Sequence, residues 1–351
     1  MAAERAYLDW NATAPLRDEA RAAMIGAMDI LGNPSSVHGE GRAAKAMVER
    51  ARAQVSAALG ADGADIVFVS GATEGAALAM AGRELHCAGV EHDAVRAWAI
   101  EDLSCSESGA VEVTEPSATA LQLANSETGI IQQLPQGLAL CDATQAFGKI
   151  AWAFNWSGAQ MALISAHKIG GPKGIGALVI KRGTDLAAMI KGGGQEMGRR
   201  AGTENVIGIA GFGAAAEASA RDLEAGKWRD VEVLRDWIEA EVEKIAPGAI
   251  CVGKGAARLP NTACVITPGW KGETQVMQMD LAGCAISAGS ACSSGKVKAS
   301  HVLTSMGYSE ADAACAIRIS IGPQTTQQEA AHFVQAWSAA FGRQMARLKA
   351  G

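Results

Sequence analysis

In the first half of the chain, short apolar runs alternate with stretches of helical periodicity. Residues 41–60, GRAAKAMVERARAQVSAALG, predict an amphipathic helix that ends at a glycine. The apolar run at 65–71 predicts a buried strand, and the segment that follows it, ATEGAALAMAGREL, predicts a second helix. Continuous apolar strands alternating with helices are typical of a mostly parallel sheet covered on both faces. Further strand-like runs lie at 120–125, 138–143, 161–166 and 175–182.

The pattern changes after the glycine-rich segment KGGGQEMGRRAGTEN at 191–205. Two long helices are predicted at roughly 204–226 and 228–245, and a final helix from roughly 326 to 348. Between them, short strands are predicted at AICVG, TACVIT, CAISAG and AIRISIG. This half has the pattern of a smaller α+β domain. We therefore predict a large domain over residues 14–228 and a small domain formed by residues 1–13 and 229–351.

Composition and charge narrow the class of protein. The chain has 351 residues, 49% of them hydrophobic, and a net charge of −6. Because it has no lysine- or arginine-rich stripe to neutralise phosphates, we expect no nucleic-acid binding. No apolar run approaches the roughly 20 residues of a membrane span, and the N-terminus, MAAERAYLDWNATAP, lacks the apolar core of a signal peptide. We expect a cytoplasmic enzyme that works away from membranes.

One of the eight cysteines has an unusual context. The chain has no C-x-x-C pair, so we expect neither a disulfide framework nor a metal site. Most of the cysteines are expected to be inert core residues. Cys292, however, lies in SAGSACSSGKVKAS, residues 287–300, among small and polar residues. A structural cysteine packs as a small hydrophobe, so this context predicts an accessible, reactive thiol.

Lys168 follows an apolar strand in ISAHKIGGPKGIGALVI, residues 164–180. Ligands of open α/β sheets collect at the carboxyl ends of strands, and a lysine there can form a Schiff base with an aldehyde cofactor. Pyridoxal 5'-phosphate would also need a phosphate cradle, an acid facing its ring nitrogen and a group stacked on its ring. The turn SGATEG at 70–75 joins a strand to a helix, so its N–H groups and the Thr73 hydroxyl are candidates for holding the phosphate.

Other strand ends supply the remaining candidates. Asp142 ends a strand in CDATQAFG, where a carboxylate would keep the pyridine nitrogen protonated, and Gln145 could reach the ring hydroxyl. His92 in VEHDAV is the candidate stacking ring and proton shuttle, and Ser165 and His167 could add phosphate contacts. Each residue taken alone is more often a turn former, a helix cap or a solvated surface residue. The ordered set at strand ends favours a cofactor site.

Taken in order, these motifs resemble the cysteine desulfurases of the NifS/IscS type, in the class V aminotransferase group of fold-type I pyridoxal-phosphate enzymes. The resemblance runs from YLDWNATAPL at residue 7 to IRISIGPQTTQQE at 317–329. It implies an α/β fold with a mostly parallel, seven-stranded type of sheet in the large domain, and a smaller α+β domain that carries the catalytic cysteine loop. The other matching stretches are GNPSSVHGEGRAA, VFVSGATEG, EHDAV, DATQAFGKI, SAHKIGGPKGIGAL, GGGQEMGRRAGTEN and SAGSACSS.

The resemblance also implies a role for each matching position. Cys292 matches the nucleophile that takes sulfur from substrate cysteine as a persulfide, and Arg318 matches the arginine that grips the substrate carboxylate. Thr203 matches a threonine that reaches the phosphate from the neighbouring subunit, which implies a homodimer. The cofactor residues implied are the Schiff-base Lys168, the stacking and catalytic His92, the ring partners Asp142 and Gln145, and the phosphate ligands Thr73, Ser165 and His167.

The implied activity is conversion of L-cysteine to L-alanine, with the sulfur passing through an enzyme persulfide to an acceptor protein. The sequence does not identify the acceptor. The transferred sulfur would support iron–sulfur cluster or thio-cofactor biosynthesis. Selenocysteine lyase activity, transamination and a non-catalytic sulfur-carrier role stay open as alternatives. Transamination would give the segment SAGSACSS no function. A non-catalytic carrier is disfavoured because the chain retains four residues of the implied site: Lys168, Asp142, His92 and Arg318.

The sequence departs from the family pattern at one cofactor position. The family commonly has Asn-Asn-Glu-x-Gly where this chain has NSETG at 125–129. Ser126 therefore stands in place of an asparagine that contacts the cofactor. Either the Ser126 hydroxyl or Asn125 replaces that asparagine, or one contact is weaker.

Overall fold

A computed structural model describes residues 5–289 and 299–350 of the chain. In that part, no helix combines the length and apolar character needed to cross a bilayer. The strands are β1 (Ala6–Tyr7), β2 (Asp65–Val69), β3 (His86–Ala88), β4 (Ile100–Leu103), β5 (Ala120–Gln122), β6 (Leu140–Asp142), β7 (Met161–Ser165), β8 (Gly176–Ile180), β9 (Ile250–Cys251), β10 (Thr262–Ile266), β11 (Cys284–Ala285), β12 (Ser287–Ala288) and β13 (Ala316–Ser320). The α-helices are α1 (Asp18–Met28), α2 (Gly39–Ala58), α3 (Ala72–Met80), α4 (Asp93–Arg96), α5 (Phe154–Ser157), α6 (Val206–Glu224), α7 (Lys227–Ile245), α8 (Gly272–Leu281), α9 (His301–Ser305), α10 (Glu310–Ala313) and α11 (Gln327–Ala350).

The first sheet has the strand order β2-β8-β7-β6-β5. Strands β5, β6 and β7 run parallel to one another, whereas β8 is antiparallel to both of its neighbours. Strands β3 and β4 form a parallel pair, and a parallel bridge from His86 to Thr119 sets β3 beside the start of β5. The mostly parallel sheet expected from the sequence is confirmed.

Helices cover both faces of this sheet, as its continuous apolar strands require. Every residue of β7 and β8 is buried. Along β7, Leu163 packs in the cluster that includes Leu78 of α3, whereas Ile164 packs on the other face with Val48 of α2 and Phe212 of α6. Successive side chains of a strand point to opposite faces, so a strand buried on both faces needs apolar residues at every position.

The strand register aligns the carboxyl ends of several strands along one edge. Val69 of β2 pairs with Gly176 of β8, and Gly176 pairs in turn with Ser165 of β7. Asp142, the last residue of β6, pairs with Leu163, two residues before Ser165. The turn after β2, the end of β6 and the turn after β7 therefore meet at the edge where open α/β sheets bind their ligands.

A second sheet, of order β12-β13-β10-β9, is antiparallel and has its own core. Helices α7, α8 and α11 contribute to that core. Its centre is aromatic: the rings of Trp270 and Trp337 lie 5.4 Å apart, and Phe341 stacks on Trp337 at the same distance. Such ring pairs add about 0.5–1.5 kcal/mol beyond the area they bury. The domain boundaries given above stay a prediction.

The run CAISAG at 284–289, expected to be one strand, forms two. Strand β11 pairs in parallel with β1, and β12 pairs antiparallel with β13. Ile286 between them is buried in the core of the second sheet. The run divides because its backbone finds one hydrogen-bonding partner before Ile286 and a different one after it.

Candidate active site

A cavity of about 1070 Å³ opens at the edge where the strand ends meet. Thr203 does not line this cavity and is exposed. Cys292 lies outside the described residues, but Gly289 and Ala299, which flank residues 290–298, both line the cavity. Eight residues singled out from the sequence line it together: Thr73, His92, Asp142, Gln145, Ser165, His167, Lys168 and Arg318.

One end of the cavity is built to hold an anion. Helix α3 begins there after Gly71, and a Cβ at Gly71 would meet no atom within 4 Å, so the backbone is open to the cavity. Gly176 of β8 lets this turn lie close to the sheet, because a Cβ there would lie 3.0 Å from Gly71 Cα. The N–H groups of a helix N-terminus favour negative charge. Thr73 and Ser165 line the same cavity as hydroxyl donors.

His167 lies in a concentration of positive charge. Burial and, to a smaller extent, the nearby Lys168 and Lys173 together lower its pKa to about 4. The ring is therefore neutral at neutral pH. Its Nδ1 lies 3.2 Å from the Thr13 hydroxyl oxygen. A neutral imidazole surrounded by lysines can act as a hydrogen-bond partner of an anion without adding charge of its own.

Lys168 ends a short 3₁₀ turn, Ala166–Lys168, directly after β7. Its Nζ donates to the carbonyl oxygen of Asn11 at 2.6 Å and to that of Ala12 at 2.9 Å. The amine is thereby held between the strand end and the N-terminal segment, at the wall of the cavity. A lysine amine in this position is a nucleophile that a carbonyl ligand in the cavity can reach.

Asp142 and His92 have fixed orientations. One carboxylate oxygen of Asp142 accepts a hydrogen bond from the Thr144 backbone N–H at 2.9 Å. His92 caps α4, and its Nδ1 accepts from the Ala94 backbone N–H at 3.1 Å. A ring nitrogen that accepts carries no proton, so the proton of the neutral ring is on Nε2. Both side chains line the cavity with defined donor and acceptor atoms.

Arg318 of β13 brings the second sheet into the site. Its guanidinium donates to Asp9 Oδ1 at 2.7 Å and to the Ser126 carbonyl oxygen at 3.1 Å. Its Nε is buried and has no partner among the described residues. Arg318 also lines the cavity, where a guanidinium can meet a carboxylate in the bidentate geometry that it favours.

Asn125 and Ser126, the two residues that could replace the family's asparagine, differ in their position relative to the cavity. The Asn125 side-chain oxygen accepts from the backbone N–H groups of Glu127 and Thr128, and its Nδ2 donates to the Val90 carbonyl oxygen. Asn125 is thus committed to its own turn and does not line the cavity, whereas Ser126 does. Of the two residues, only Ser126 therefore lies at the cavity.

Three residues of this region were missed by sequence reasoning. Asn11 is buried and binds both Lys168 and Thr262. Glu91 is buried at the cavity, where burial raises its pKa well above the usual range and Asp142 adds to the increase. Lys149 is buried behind the cavity wall. The sequence feature that could have revealed Lys149 is its position as a single lysine inside the otherwise apolar stretch AFGKIAW.

Comparison with known proteins defines the class of this site. Residues 6–333 match the family described as aminotransferase class-V, and the chain belongs to this family. Its members depend in general on pyridoxal 5'-phosphate.

The similar relatives are cysteine desulfurases and NifS-like proteins. A cysteine desulfurase of Cereibacter sphaeroides is 36% identical over 364 residues, which cover 93% of each chain. A solved NifS-like protein from Rickettsia africae has a TM-score of 0.89 at 31% identity and covers 97% of this chain and 100% of its own. A structure described as SspA in complex with cysteine has a TM-score of 0.74 at 28% identity and covers 91% and 99%. The resemblance and the fold class inferred from the sequence are confirmed.

Proposed function

We propose that this protein is a pyridoxal-phosphate-dependent cysteine desulfurase, which converts L-cysteine to L-alanine and passes the sulfur through a persulfide on Cys292. The observation that carries the proposal is the single cavity in which an amine, a carboxylate, an imidazole and a guanidinium converge. Its relatives named cysteine desulfurase support the same activity. The acceptor of the sulfur and the cytoplasmic location stay predictions.

The residues present fit the cofactor. The open N-terminus of α3 and the neutral His167 suit a phosphate group, and Lys168 suits an aldehyde. The carboxylate of Asp142 suits a ring nitrogen that must stay protonated. When bound, pyridoxal phosphate supplies an electron sink for the bonds of the substrate carbon that carries the amine.

The protein's own groups then bind and orient the substrate. Arg318, held by Asp9, would bind the substrate carboxylate from the wall of the cavity. Lys168 Nζ would hold the cofactor aldehyde, and from the wall of the cavity this amine would take a proton from, or return one to, the substrate carbon. With Nδ1 accepting from the Ala94 N–H, the ring proton of His92 is on Nε2, and His92 lines the cavity, so it can pass a proton at that atom.

Sulfur leaves by attack of the Cys292 thiolate on the sulfur of the substrate. The new S–S bond forms as the carbon–sulfur bond breaks, and the electron pair of the broken bond stays on the carbon fragment. A proton then completes the methyl group of alanine. Gly289 and Ala299 line the cavity on either side of the segment that contains Cys292, which supports a nucleophile from that segment. Transamination gives that cysteine no role.

Covalent labelling tests the function. Borohydride should fix the cofactor to Lys168, and peptide mapping of the reduced protein should find the modified lysine there. Lys168→Ala should lose covalent attachment and release of alanine, whereas Lys181→Met, at an exposed lysine, should retain both. A modified lysine in another peptide, or alanine formation by Lys168→Ala, would contradict the proposal.

We also propose that the active unit is a homodimer. Thr203 is exposed and lies away from the cavity of its own chain. On and after α1, four large apolar side chains are also exposed: Ile25 57%, Met28 61%, Leu31 82% and Val37 88%. Exposed apolar side chains that lie close along the chain are typical of an interaction surface, and a second copy would bury the same surface on both subunits.

Complementation between inactive subunits tests this arrangement. In a hybrid of Thr203→Ala and Lys168→Ala subunits, a threonine that crosses to its neighbour would complete one intact site. Mixing the two variants should therefore restore part of the activity that each has lost. Hybrids with no more activity than the parents, or an active monomer in sedimentation, would refute the proposal.

A further inference from the structure

Lys149 is a buried amine that lies behind the wall of the cavity. Only 2% of the residue is exposed, and it does not line the cavity. Its Nζ donates to Gln145 Oε1 at 2.8 Å and to Asn11 Oδ1 at 3.2 Å, both neutral oxygens. Burial lowers the pKa of Lys149 well below its usual range, and the neighbouring cations Lys168 and Arg318 lower it further. Burying this amine opposes folding, so a functional benefit is needed to explain it.

The contacts of Gln145 define which end of its amide faces which partner. Its Nε2 donates to the Asn11 backbone carbonyl oxygen at 3.0 Å, and its Oε1 accepts from Lys149. A carbonyl oxygen can only accept, so the nitrogen must face Asn11, whether Lys149 is charged or neutral. The amide nitrogen has a second hydrogen, and Gln145 lines the cavity. The cavity therefore receives an N–H donor from this side chain rather than a carbonyl oxygen.

We propose that Lys149 is a positioning residue: it holds the Gln145 amide so that its free N–H donates to the oxygen on the cofactor ring. This inference rests on the proposed function, because it requires pyridoxal phosphate in the cavity. Without Lys149 the amide oxygen loses its donor, and the side chain is free to rotate away or to turn an acceptor towards an oxygen that needs a donor. Lys149 acts only through Gln145 and touches neither cofactor nor substrate.

The experiment measures cofactor affinity on protein stripped of cofactor and titrated with pyridoxal 5'-phosphate. Lys149→Met keeps the length of the side chain and removes the amine. It should weaken binding by at least roughly tenfold, the effect of one hydrogen bond to a charged group, and should shift the absorption band of the bound cofactor. Removing a buried amine favours folding, whereas leaving the buried Gln145 oxygen without a donor opposes it, so the melting temperature of the stripped protein should change little. The matched control is Lys181→Met, at an exposed lysine.

A double-mutant cycle separates positioning from a general structural role. Gln145→Ala should weaken binding to a similar degree, and adding Lys149→Met to it should cause no further loss. Additive losses, or a lower melting temperature together with an unshifted absorption band, would overturn the inference. If Lys149→Met does not fold, Gln145→Glu provides the second test. It keeps a partner for Lys149 but offers no N–H, so unchanged affinity would overturn the inference too.

The outcomes also separate this inference from the proposed function. If the unmodified protein fails to bind pyridoxal phosphate, the proposed function itself is wrong. If the unmodified protein binds and Gln145→Ala weakens binding while Lys149→Met does not, the function stands and the role of Lys149 is refuted.

Discussion

Replacing Arg318 by methionine tests how the substrate is recognised. The guanidinium is almost fully buried, is held by Asp9 and by the Ser126 carbonyl oxygen, and has one buried N–H without a partner among the described residues. A hydrogen bond to a charged group contributes about 1.5–3 kcal/mol. Since about 1.4 kcal/mol corresponds to a factor of ten, losing one such bond to the substrate carboxylate should lower kcat/KM for L-cysteine by roughly 10- to 150-fold.

A substrate analogue isolates that contribution. Cysteamine is cysteine without its carboxylate, so its reaction cannot depend on a guanidinium–carboxylate contact. The assay is sulfide release from each substrate by the unmodified protein and by Arg318→Met, with cofactor content matched. The variant should lose activity towards cysteine and keep the same kcat/KM for cysteamine. Asp9→Asn, which retains an acceptor for the guanidinium, should have a smaller effect. An equal loss for both substrates would refute the reasoning, because Arg318 would then support the cavity rather than bind the carboxylate.

Three further changes have defined outcomes. Cys292→Ala should still bind pyridoxal phosphate and change its absorption spectrum on addition of cysteine, yet carry no persulfide in a mass spectrum. Undiminished alanine production by this variant would show that Cys292 is not the nucleophile. Ser126→Asn should raise kcat/KM for cysteine, because an amide restores a contact of about 1.5–3 kcal/mol; no change would mean that the serine already suffices. The pKa of His167 is about 4 in the folded protein and roughly 6.5 in the unfolded chain. Between these pH values the unfolded chain binds one more proton than the folded protein, so the free energy of unfolding falls as the pH drops from roughly 6.5 towards about 4. In urea unfolding, the free energy of unfolding of His167→Gln should fall less between pH 7 and pH 5 than that of the unmodified protein, by about 1 kcal/mol after solvent screening. An unaltered pH dependence would contradict the low pKa of His167.

The sequence predicted the site wherever its residues follow local signals. Asp142 and Lys168 lie at or just after the ends of apolar runs, and those runs became β6 and β7. Once the strands are placed, their ends must meet at one edge, so the convergence follows from local pattern and the rules of parallel sheets. The antiparallel direction of β8 was not evident, because an apolar run carries no mark of the direction in which it pairs.

Contacts between distant parts of the chain were beyond local pattern. Lys149 and Asn11 are 138 residues apart, and Asn11 and Asn261 are 250 apart. Each residue alone has the signature of a turn or a surface position, and only the packed fold shows that they share one buried network. The division of CAISAG between two strands has the same origin, since β11 and β12 find their partners at opposite ends of the chain.

The position of Asn11 links Lys168, the proposed cofactor lysine, to the contacts that hold the two sheets together. Its backbone carbonyl accepts from Lys168, while its side chain donates to Thr262 of the second sheet and its N–H donates to the Ser320 hydroxyl. A ligand that draws the Lys168 amine away from this carbonyl removes one of the bonds by which the N-terminal segment joins the two halves. By thermodynamic reciprocity, any change in how firmly those halves are seated must alter the affinity of that ligand by the same factor. The affinity of such a ligand and the strength with which the two halves are held together are therefore linked.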